Sequence, residues 1–295
     1  FNKFNKCCDN RKEASYDIIH SPKPLEISEE LRLCLEWLLW YAPDINSTQS
    51  TKNELISKTI YDDVIFNIII KSMGLTSNDI KIVNKDIHDD LQNYYRKSIC
   101  ERCQKLIFRK RKKKTKSEEL LRHVRNIIAH GNFNIVGELL IGFDLYKGEN
   151  NAIIKINPSR LLNAIREIDS GITQEKIWKY SFEKAGYIVK SNLSGMNKYD
   201  LEIEKNDITF LVEIKLIKKG WVGLNLIRPY LQEIRHNTTK NEVPVLIIDE
   251  GRLTKEVKRY LNKENIIVLD KKSIEDFLSG QDVLIDLYKN FNRDK

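Results

Sequence analysis

A strand-like segment in the second half of the chain places a carboxylate next to an amine. The segment FLVEIKLI spans residues 210–217. Because side chains in a strand point alternately to opposite faces, Glu213 and Lys215 share one face of this otherwise apolar segment. Burying such groups costs several kcal/mol unless they pair with each other or bind an ion. The segment is therefore a strand with a structural ion pair, an edge strand with one solvated face, or part of a reactive site.

Asp200 adds a second carboxylate to the same region. It begins the segment DLEIE, and the short sequence KND at 205–207 separates that segment from the strand carrying Glu213. The two segments are therefore predicted to pair as a β-hairpin. Two carboxylates and a backbone carbonyl suit Mg²⁺, which prefers oxygen ligands and keeps several waters. A nearby lysine can position the attacking water and stabilise charge that develops on a phosphate.

A second reactive combination lies in EELLRHVRNIIAHGNFN, residues 118–134. Arg125 and His130 would not share a face of a continuous helix, because five residues rotate the side chain by about 140° beyond a full turn. Gly131 predicts a helix end near Ala129, where the two side chains can converge within one chain or with those of a second chain. The structural alternative is a histidine that caps the helix and an arginine on the surface.

The segment 171–280 resembles the PD-(D/E)xK nuclease superfamily in its restriction-endonuclease-like form. The E-x-K at 213–215 is one match. The sequence GITQEKIWKYSFEKAGYIV at 171–189 is a second, similar to the first helix and strand of Mrr-like and archaeal Holliday-junction-resolvase groups. Tyr199 stands where the family has proline. The resemblance implies an α/β fold and DNA as the substrate.

The resemblance also implies roles for individual residues. Asp200 and Glu213 would bind Mg²⁺ (or Mn²⁺), with Glu175 as an accessory acid in the metal site. Lys215 would be the catalytic lysine. Glu183 is the rival for the helix acid. Lys218 and Lys219 are candidates for contacts with DNA phosphates.

The motif RNIIAHG at 125–131 resembles the R-x4-6-H signature of HEPN domains, an all-α family. Helical character over residues 25–165 agrees with this, although only the motif is specific. The resemblance implies a homodimer and metal-independent cleavage of RNA, with no cofactor. His130 would handle the 2′-hydroxyl proton or bind the scissile phosphate, Arg125 would stabilise phosphate charge, and Asn126 would orient them.

A basic run, RKRKKKTK at 109–116, precedes this motif. The chain has a formal net charge of +8, which suits a nucleic-acid partner without establishing one. The run is either a phosphate-binding loop or a solvated charge run. Its candidate nucleic-acid-binding residues are Arg109, Lys110, Arg111, Lys112, Lys113 and Lys114.

The five cysteines are an odd number for a disulfide framework. Cys100 and Cys103 form a C-x-x-C, while Cys7 and Cys8 lie near the start of the sequence. Because no second C-x-x-C accompanies the first, we interpret these residues as reduced thiols of a cytoplasmic protein rather than as a zinc site. No run of about 20 apolar residues predicts a membrane span.

The chain is predicted to be multidomain. Residues 1–168 are predicted to form an all-α HEPN domain with a small β-hairpin, and residues 169–295 an α/β PD-(D/E)xK nuclease domain. The polar segment DSGIT at 169–173 marks the boundary. The predicted elements of the first domain are helices at 25–42, 53–73, 87–111, 117–129 and 159–168, with strands at 138–146 and 151–156.

These features together predict a two-domain nuclease. The first domain would cleave RNA, dimerise, or do both, and the second would cleave DNA with Mg²⁺. Two nuclease types in one chain suggest prokaryotic defence against phage, which is an association rather than a physical argument. The alternatives are a restriction-like DNA endonuclease whose HEPN domain is non-catalytic, a non-catalytic nucleic-acid-binding protein, and a toxin with a separate antitoxin.

Overall fold

The computed structural model describes residues 7–8, 11–14, 26–84, 87, 99–191, 199–215, 221–237, 242–248 and 252–293. The chain divides into two compact units, Phe1–Gly171 and Ile172–Lys295. This division falls within the DSGIT segment. Among the described helices, none combines the length and the apolar character that crossing a membrane requires.

The first unit contains both helices and strands. The helix at 116–129 begins with a capping box, because Thr115 Oγ1 accepts from the Glu118 backbone N–H at 3.1 Å and Glu118 Oε2 accepts from the Thr115 N–H at 3.0 Å. The prediction that Ser117 caps this helix is therefore wrong by two residues, since Thr115 is the N-cap. The helices are α1 (Glu29–Trp40), α2 (Glu54–Ser57), α3 (Asp62–Ser72), α4 (Lys116–Ala129) and α5 (Pro158–Gly171).

A five-stranded sheet forms the centre of the first unit. Its strand order is β2-β4-β7-β6-β5, in which β2 and β4 are parallel and the other pairs are antiparallel. The two short strands β1 and β3 pair separately. The strands are β1 (Glu13–Ala14), β2 (Ile80–Val83), β3 (Ile99–Cys100), β4 (Lys105–Arg109), β5 (Phe133–Val136), β6 (Leu139–Tyr146) and β7 (Glu149–Ile156).

The prediction of an all-α first domain is wrong. The predicted hairpin is confirmed as β6 and β7, but it belongs to the five-stranded sheet rather than standing alone. The helix expected at 87–111 is also wrong within the described residues, since 105–109 form β4, an inner strand of the sheet. Leu106, Ile107 and Phe108 are all fully buried there. A strand that is covered on both faces has a continuous apolar sequence, which periodicity does not distinguish from a short stretch of buried helix.

The second unit is an α/β layer structure, as predicted. Its five-stranded sheet has the order β14-β12-β10-β9-β8, with β8, β9 and β10 antiparallel and β10, β12 and β14 parallel. Its elements are α6 (Gln174–Lys184), β8 (Ile188–Ser191), β9 (Leu201–Lys205), β10 (Ile208–Lys215), β11 (Trp221–Val222), α7 (Leu224–Asn237), β12 (Glu242–Ile248), β13 (Arg252–Leu253), α8 (Lys255–Lys263), β14 (Ile267–Leu269), α9 (Lys271–Leu278) and α10 (Val283–Arg293).

A two-residue turn joins β9 to β10. Asn206 and Asp207 both have positive φ, at 52° and 60°. Two central residues with positive φ are the mark of a type I′ turn, whose twist matches that of the flanking strands. The turn sets Ile208 opposite Lys205, and the pairing continues to Val212 opposite Leu201.

Aromatic side chains hold this sheet against its helices. Trp178 and Phe182 of α6 pack on Phe277 of α9, with ring centroids 5.9 and 5.0 Å away. Phe210 of β10 is fully buried and packs against the Tyr187 ring at 6.3 Å. Such aromatic pairs contribute about 0.5 to 1.5 kcal/mol each beyond the apolar area they bury. The central strand β10 is thereby fixed in a rigid core.

Candidate active site

Asp200 lies immediately before β9, and its carboxylate binds the backbone of β10. Its backbone N–H donates to the Val212 carbonyl at 3.0 Å, and its Oδ2 accepts from the Ile214 N–H at 2.6 Å. The β9–β10 pairing ends at Leu201 opposite Val212. Beyond this point the Asp200 carboxylate, rather than a backbone carbonyl of β9, accepts the hydrogen bond from the Ile214 N–H. This contact places Asp200 beside the E-x-K segment.

Glu213 and Lys215 form an ion pair on one face of β10. Glu213 is buried with 5% exposure, while the Lys215 side chain keeps 25% exposure. The Lys215 Nζ also lies 4.6 Å from the centroid of the Tyr230 ring on α7, a cation–π contact. Burial favours a lower pKa for Lys215, but the hydrogen bond that it donates to Glu213 and the charges of Glu213 and Asp200 outweigh burial and raise it. The lysine is therefore a cation at neutral pH.

The two carboxylates suit a hard divalent cation. Asp200 uses Oδ2 for its backbone hydrogen bond, which leaves Oδ1 for an ion. Glu213 supplies carboxylate oxygens from the adjacent strand, and Mg²⁺ or Mn²⁺ prefers such oxygen ligands. Within the described residues, no three carboxylates bring their oxygens within 4.8 Å of one another. Waters and a substrate phosphate would therefore supply the remaining ligands, as is usual for Mg²⁺.

Of the other residues predicted for this site, two are exposed on α6 and two are outside the described residues. Glu175 is exposed in the first turn of α6, and Glu183 is exposed near the end of the same helix. Among the described contacts, neither acid reaches Asp200 or Glu213. Lys218 and Lys219 lie outside the described residues. The structure thus brings together Asp200, Glu213 and Lys215, and it adds Tyr230, which we did not single out in the sequence.

The end of α4 confirms the helix stop predicted at Gly131. His130 is the exposed C-cap residue and donates its N–H to the Asn126 carbonyl at 3.0 Å. Gly131 has a φ of 66°, and the Asn132 N–H donates to the Ile127 carbonyl at 3.1 Å, as in a Schellman motif. The positive φ explains the glycine, because other L-residues are strained in this conformation.

Arg125 and Asn126 contact each other rather than His130. The Arg125 Nη1 donates to the Asn126 Oδ1 at 3.4 Å, and the Asn126 Nδ2 donates to the Asp144 Oδ2 at 3.4 Å. The described contacts within one chain therefore do not unite the arginine and the histidine of the R-x4-H motif. Asn126 faces β6 and His130 faces solvent.

A buried polar cluster lies between α4 and the sheet, and sequence reasoning missed it. His123 is fully buried. Its Nδ1 lies 2.6 Å from the Asp144 Oδ2, and its Nε2 lies 2.8 Å from the Arg109 carbonyl oxygen. Glu119 is fully buried one turn earlier. Spacing of i, i+3, i+4 and i+7 from Glu119 places Arg122, His123 and Asn126 on the same helix face, a polar stripe that was visible in the sequence.

Two arginines neutralise Glu119. Arg122 Nη2 donates to its Oε2 at 2.9 Å, and Arg111 lies 2.8 Å from its Oε1. Burial favours a higher pKa for Glu119, but the hydrogen bonds from Arg122 and Arg111 outweigh burial and lower it. Together with the bond from His123 to the Arg109 carbonyl, these contacts attach the start of the basic run to α4.

Four of the six basic residues proposed to bind nucleic acid are paired within the first unit. Lys112 and Lys113 are exposed, and the described contacts give neither of them an acidic partner. The run is therefore largely neutralised by its own unit. The pairs are Arg109 with Glu149 at 3.3 Å, Lys110 with Asp62 at 3.8 Å, Arg111 with Glu119 at 2.8 Å and Lys114 with Glu118 at 2.7 Å.

Comparison with known proteins does not identify a family. No family model matches the chain. No curated protein matches it either.

Several solved structures show a low likeness to this chain. A crystal structure of a protein of unknown function has a TM-score of 0.28 and 17% identity, covering 33% of this chain and 56% of that one. EndoMS in apo form has a TM-score of 0.22 and 12% identity, covering 47% and 62%. The MspJI restriction endonuclease in complex with a 27-mer oligonucleotide has a TM-score of 0.25 and 9% identity, covering 64% and 63%.

The chain thus spans less than two thirds of each of these three proteins. All three TM-scores are low, so the likeness assigns neither a family nor an activity to this chain.

Proposed function

We propose that this chain is a metal-dependent nuclease that cleaves DNA at Asp200, Glu213 and Lys215. The observation that carries the proposal is the convergence of two carboxylates and one ammonium at the end of the β9–β10 hairpin. Asp200 binds the Ile214 backbone, and Glu213 pairs with Lys215. The resemblance of the segment 171–280 to PD-(D/E)xK nucleases supports the same assignment.

Each of these residues has a distinct role. Asp200 and Glu213 would hold Mg²⁺ or Mn²⁺, which supplies charge neutralisation at the phosphate and an activated water when bound. Lys215 presents a positive charge toward the phosphate that is cleaved. Tyr230 restricts the Lys215 side chain through the cation–π contact, so that the ammonium is already in position before substrate binds.

The competing explanation is a structural ion pair. A second Glu–Lys pair in the same sheet offers a direct contrast, because Lys190 of β8 lies 2.9 Å from Glu202 of β9. There the side-chain exposures are 58% for lysine and 23% for glutamate, compared with 25% and 6% for Lys215 and Glu213. The surface pair has a second acid, Glu204, at 3.7 Å, but among the described residues no carboxylate that binds a strand end lies beside it.

The test uses the full chain on supercoiled plasmid, linear duplex and single-stranded DNA, each with Mg²⁺, Mn²⁺ or EDTA. We expect cleavage with either metal and none in EDTA. Lys215→Ala should reduce the cleavage rate about 100-fold or more, whereas the matched control Lys190→Ala should cleave at nearly the wild-type rate. Intact DNA under every condition with wild-type protein would refute the proposal.

RNA cleavage at Arg125, Asn126 and His130 is not included in this proposal. The first unit contains a five-stranded sheet instead of an all-α fold, and Asn126 contacts the buried cluster. The hypothesis stays testable: RNA cleavage that persists in EDTA and is lost in His130→Ala would restore it. The homodimer and the role in phage defence stay predictions from the sequence, to be tested by light scattering and by challenge of cells with phage.

A further inference from the structure

Four of the five cysteines meet at one point in the first unit. The Sγ atoms of Cys7, Cys8, Cys100 and Cys103 all lie within 4.8 Å of one another. The Cys7 and Cys103 sulfurs are 3.3 Å apart, and the Cys8 and Cys100 sulfurs are 3.7 Å apart. All four are free cysteines, in agreement with our interpretation as reduced thiols, but their convergence on one point was not predicted. The pair Cys7–Cys8 supplies the two ligands that a second C-x-x-C was expected to provide.

Strand pairing brings the two cysteine pairs together. The short strand β1 pairs antiparallel with β3, so that Glu13 lies opposite Cys100. The Glu101 N–H donates to the Lys12 carbonyl at 3.0 Å and extends this pairing. Cys7 contacts Cys103, and Cys8 contacts both Cys100 and Cys103. Because the contact joins distant parts of the chain, the sequence spacing alone did not reveal it.

Polar groups around the sulfurs favour a thiolate cluster. The backbone N–H of Cys8 donates to the Cys103 sulfur at 3.1 Å, and such hydrogen bonds stabilise negative charge on sulfur. The buried Lys155 of β7 donates its ammonium to the Cys100 carbonyl at 2.9 Å. Four thiolates around a divalent cation carry a net charge of −2, and a buried ammonium beside them offsets part of it.

The distances between the sulfur atoms indicate which kind of metal site the four cysteines fit. Four sulfurs at about 2.3 Å from one tetrahedral ion lie about 3.8 Å from one another. The separations of 3.3 and 3.7 Å fit this arrangement, whereas a disulfide requires about 2.05 Å. An iron–sulfur cluster distributes its cysteines over several irons, which holds their sulfurs farther apart.

We propose that Cys7, Cys8, Cys100 and Cys103 bind one structural Zn²⁺. Four thiolates complete the tetrahedral shell, so this zinc has no position for water or substrate. The ion would instead join Cys7 and Cys8 to Cys100 and Cys103, which lie about 90 residues later in the sequence. Because the ligands come together only in the folded chain, zinc affinity and the stability of this unit are coupled. This site and the proposed Mg²⁺ site are independent, so either can fail without the other.

The first test measures metal in the full chain purified under reducing conditions without added chelator. We expect one zinc per chain by elemental analysis and four sulfur neighbours at about 2.3 Å by X-ray absorption. Reconstitution with Co²⁺ should give the absorption bands of a tetrahedral thiolate complex. A chain without metal, a chain that contains iron and acid-labile sulfide, or a chain with two disulfides by mass spectrometry would each overturn the proposal.

The second test uses variants with a matched control. Cys103→Ser should abolish stoichiometric zinc binding and lower the Tm by about 5 °C or more. Cys34→Ala should keep one zinc per chain, because Cys34 lies in α1 and its sulfur contacts Ser159 instead. If Cys103→Ser fails to fold, the Co²⁺ spectrum of wild-type protein still decides the question. One zinc retained by folded Cys103→Ser would contradict the assignment.

Discussion

The cluster around His123 in the first unit and the group around Lys215 in the second both combine acids and bases within an apolar surrounding. The first is closed, since His123 and Glu119 are fully buried and both His123 nitrogens have partners inside the unit. The second is open, since Lys215 remains partly exposed and Asp200 uses only one oxygen for its backbone bond. Polar groups whose hydrogen bonds are all made within the protein stabilise a fold. Polar groups that are exposed and still have a free oxygen or N–H are able to bind a ligand.

Asp200→Asn tests the open group most strongly. The amide oxygen still accepts a hydrogen bond from Ile214, so we expect little change in the free energy of unfolding. The charge needed for metal is lost, and DNA cleavage should fall about 100-fold or more. The matched control is Glu202→Gln, which neutralises an acid of the same sheet that pairs with the exposed Lys190 and accepts a hydrogen bond from Tyr199. Equal activity of both variants would show that Asp200 is structural.

Asp144→Ala tests the closed cluster. His123 would lose its carboxylate partner in the interior, and breaking such a buried pair costs roughly 3 kcal/mol. Denaturation in urea should show this loss, while Mg²⁺-dependent cleavage per folded molecule should stay unchanged. Glu149→Ala provides the contrast, because that acid forms an exposed pair with Arg109 and should cost about 1 kcal/mol or less. A similar loss in both variants would contradict the closed character of the cluster.

Two acids of the first unit should give opposite pH dependences. The arginines lower the pKa of Glu119 below its ordinary 4.5, so the folded state binds fewer protons than the unfolded state in that range. Its stabilisation is therefore complete above about pH 4.5 and is lost as the pH falls through the lowered pKa. Glu119→Gln should accordingly be less stable than wild type at pH 7, and the difference should shrink in acid, measured by urea midpoints.

Burial instead raises the pKa of Asp44 from 3.8 to about 6, and the nearby Glu118 and Asp169 act in the same direction. The folded state then binds more protons between these values, so stability falls as the pH rises from about 4 to 6. Asp44→Asn should stabilise the protein at pH 7, on the order of 1 kcal/mol, and should remove this slope. Asparagine also tolerates the φ of 58° at this position. An unchanged slope would refute the assignment.

The smallest effects are expected at the end of α4. Gly131→Ala should cost about 1 kcal/mol, since alanine is strained at a φ of 66°. His130→Ala should change stability by about 0.5 kcal/mol or less, because the side chain is exposed at a C-cap. Thermal unfolding of both variants measures the difference. A large loss of stability in His130→Ala would mean that this side chain has contacts that the exposed C-cap geometry does not account for.

Local patterns predicted the parts of the fold that depend on neighbouring residues. Alternation in β10 placed Glu213 and Lys215 on one face, and Gly131 marked the end of α4. The strand at 105–109 was missed because its apolar run has no period of two. The cysteine cluster was missed because β1 and β3 are far apart in the sequence. The polar stripe of α4 was visible in the sequence. That it forms a buried cluster could not be predicted, because its partner Asp144 lies on a separate strand.

The two-residue turn at Asn206 and Asp207 controls the chemistry of a site at the other end of the hairpin. Because side chains alternate, a slip of one residue between β9 and β10 would move Asp200 away from the Ile214 N–H. Inserting a single residue into this turn should therefore abolish the proposed DNA cleavage while every acidic and basic group of the site stays in the chain. A change in the length of this turn could therefore remove the activity during evolution although Asp200, Glu213 and Lys215 are all retained. A comparison of catalytic residues alone would not detect such a loss.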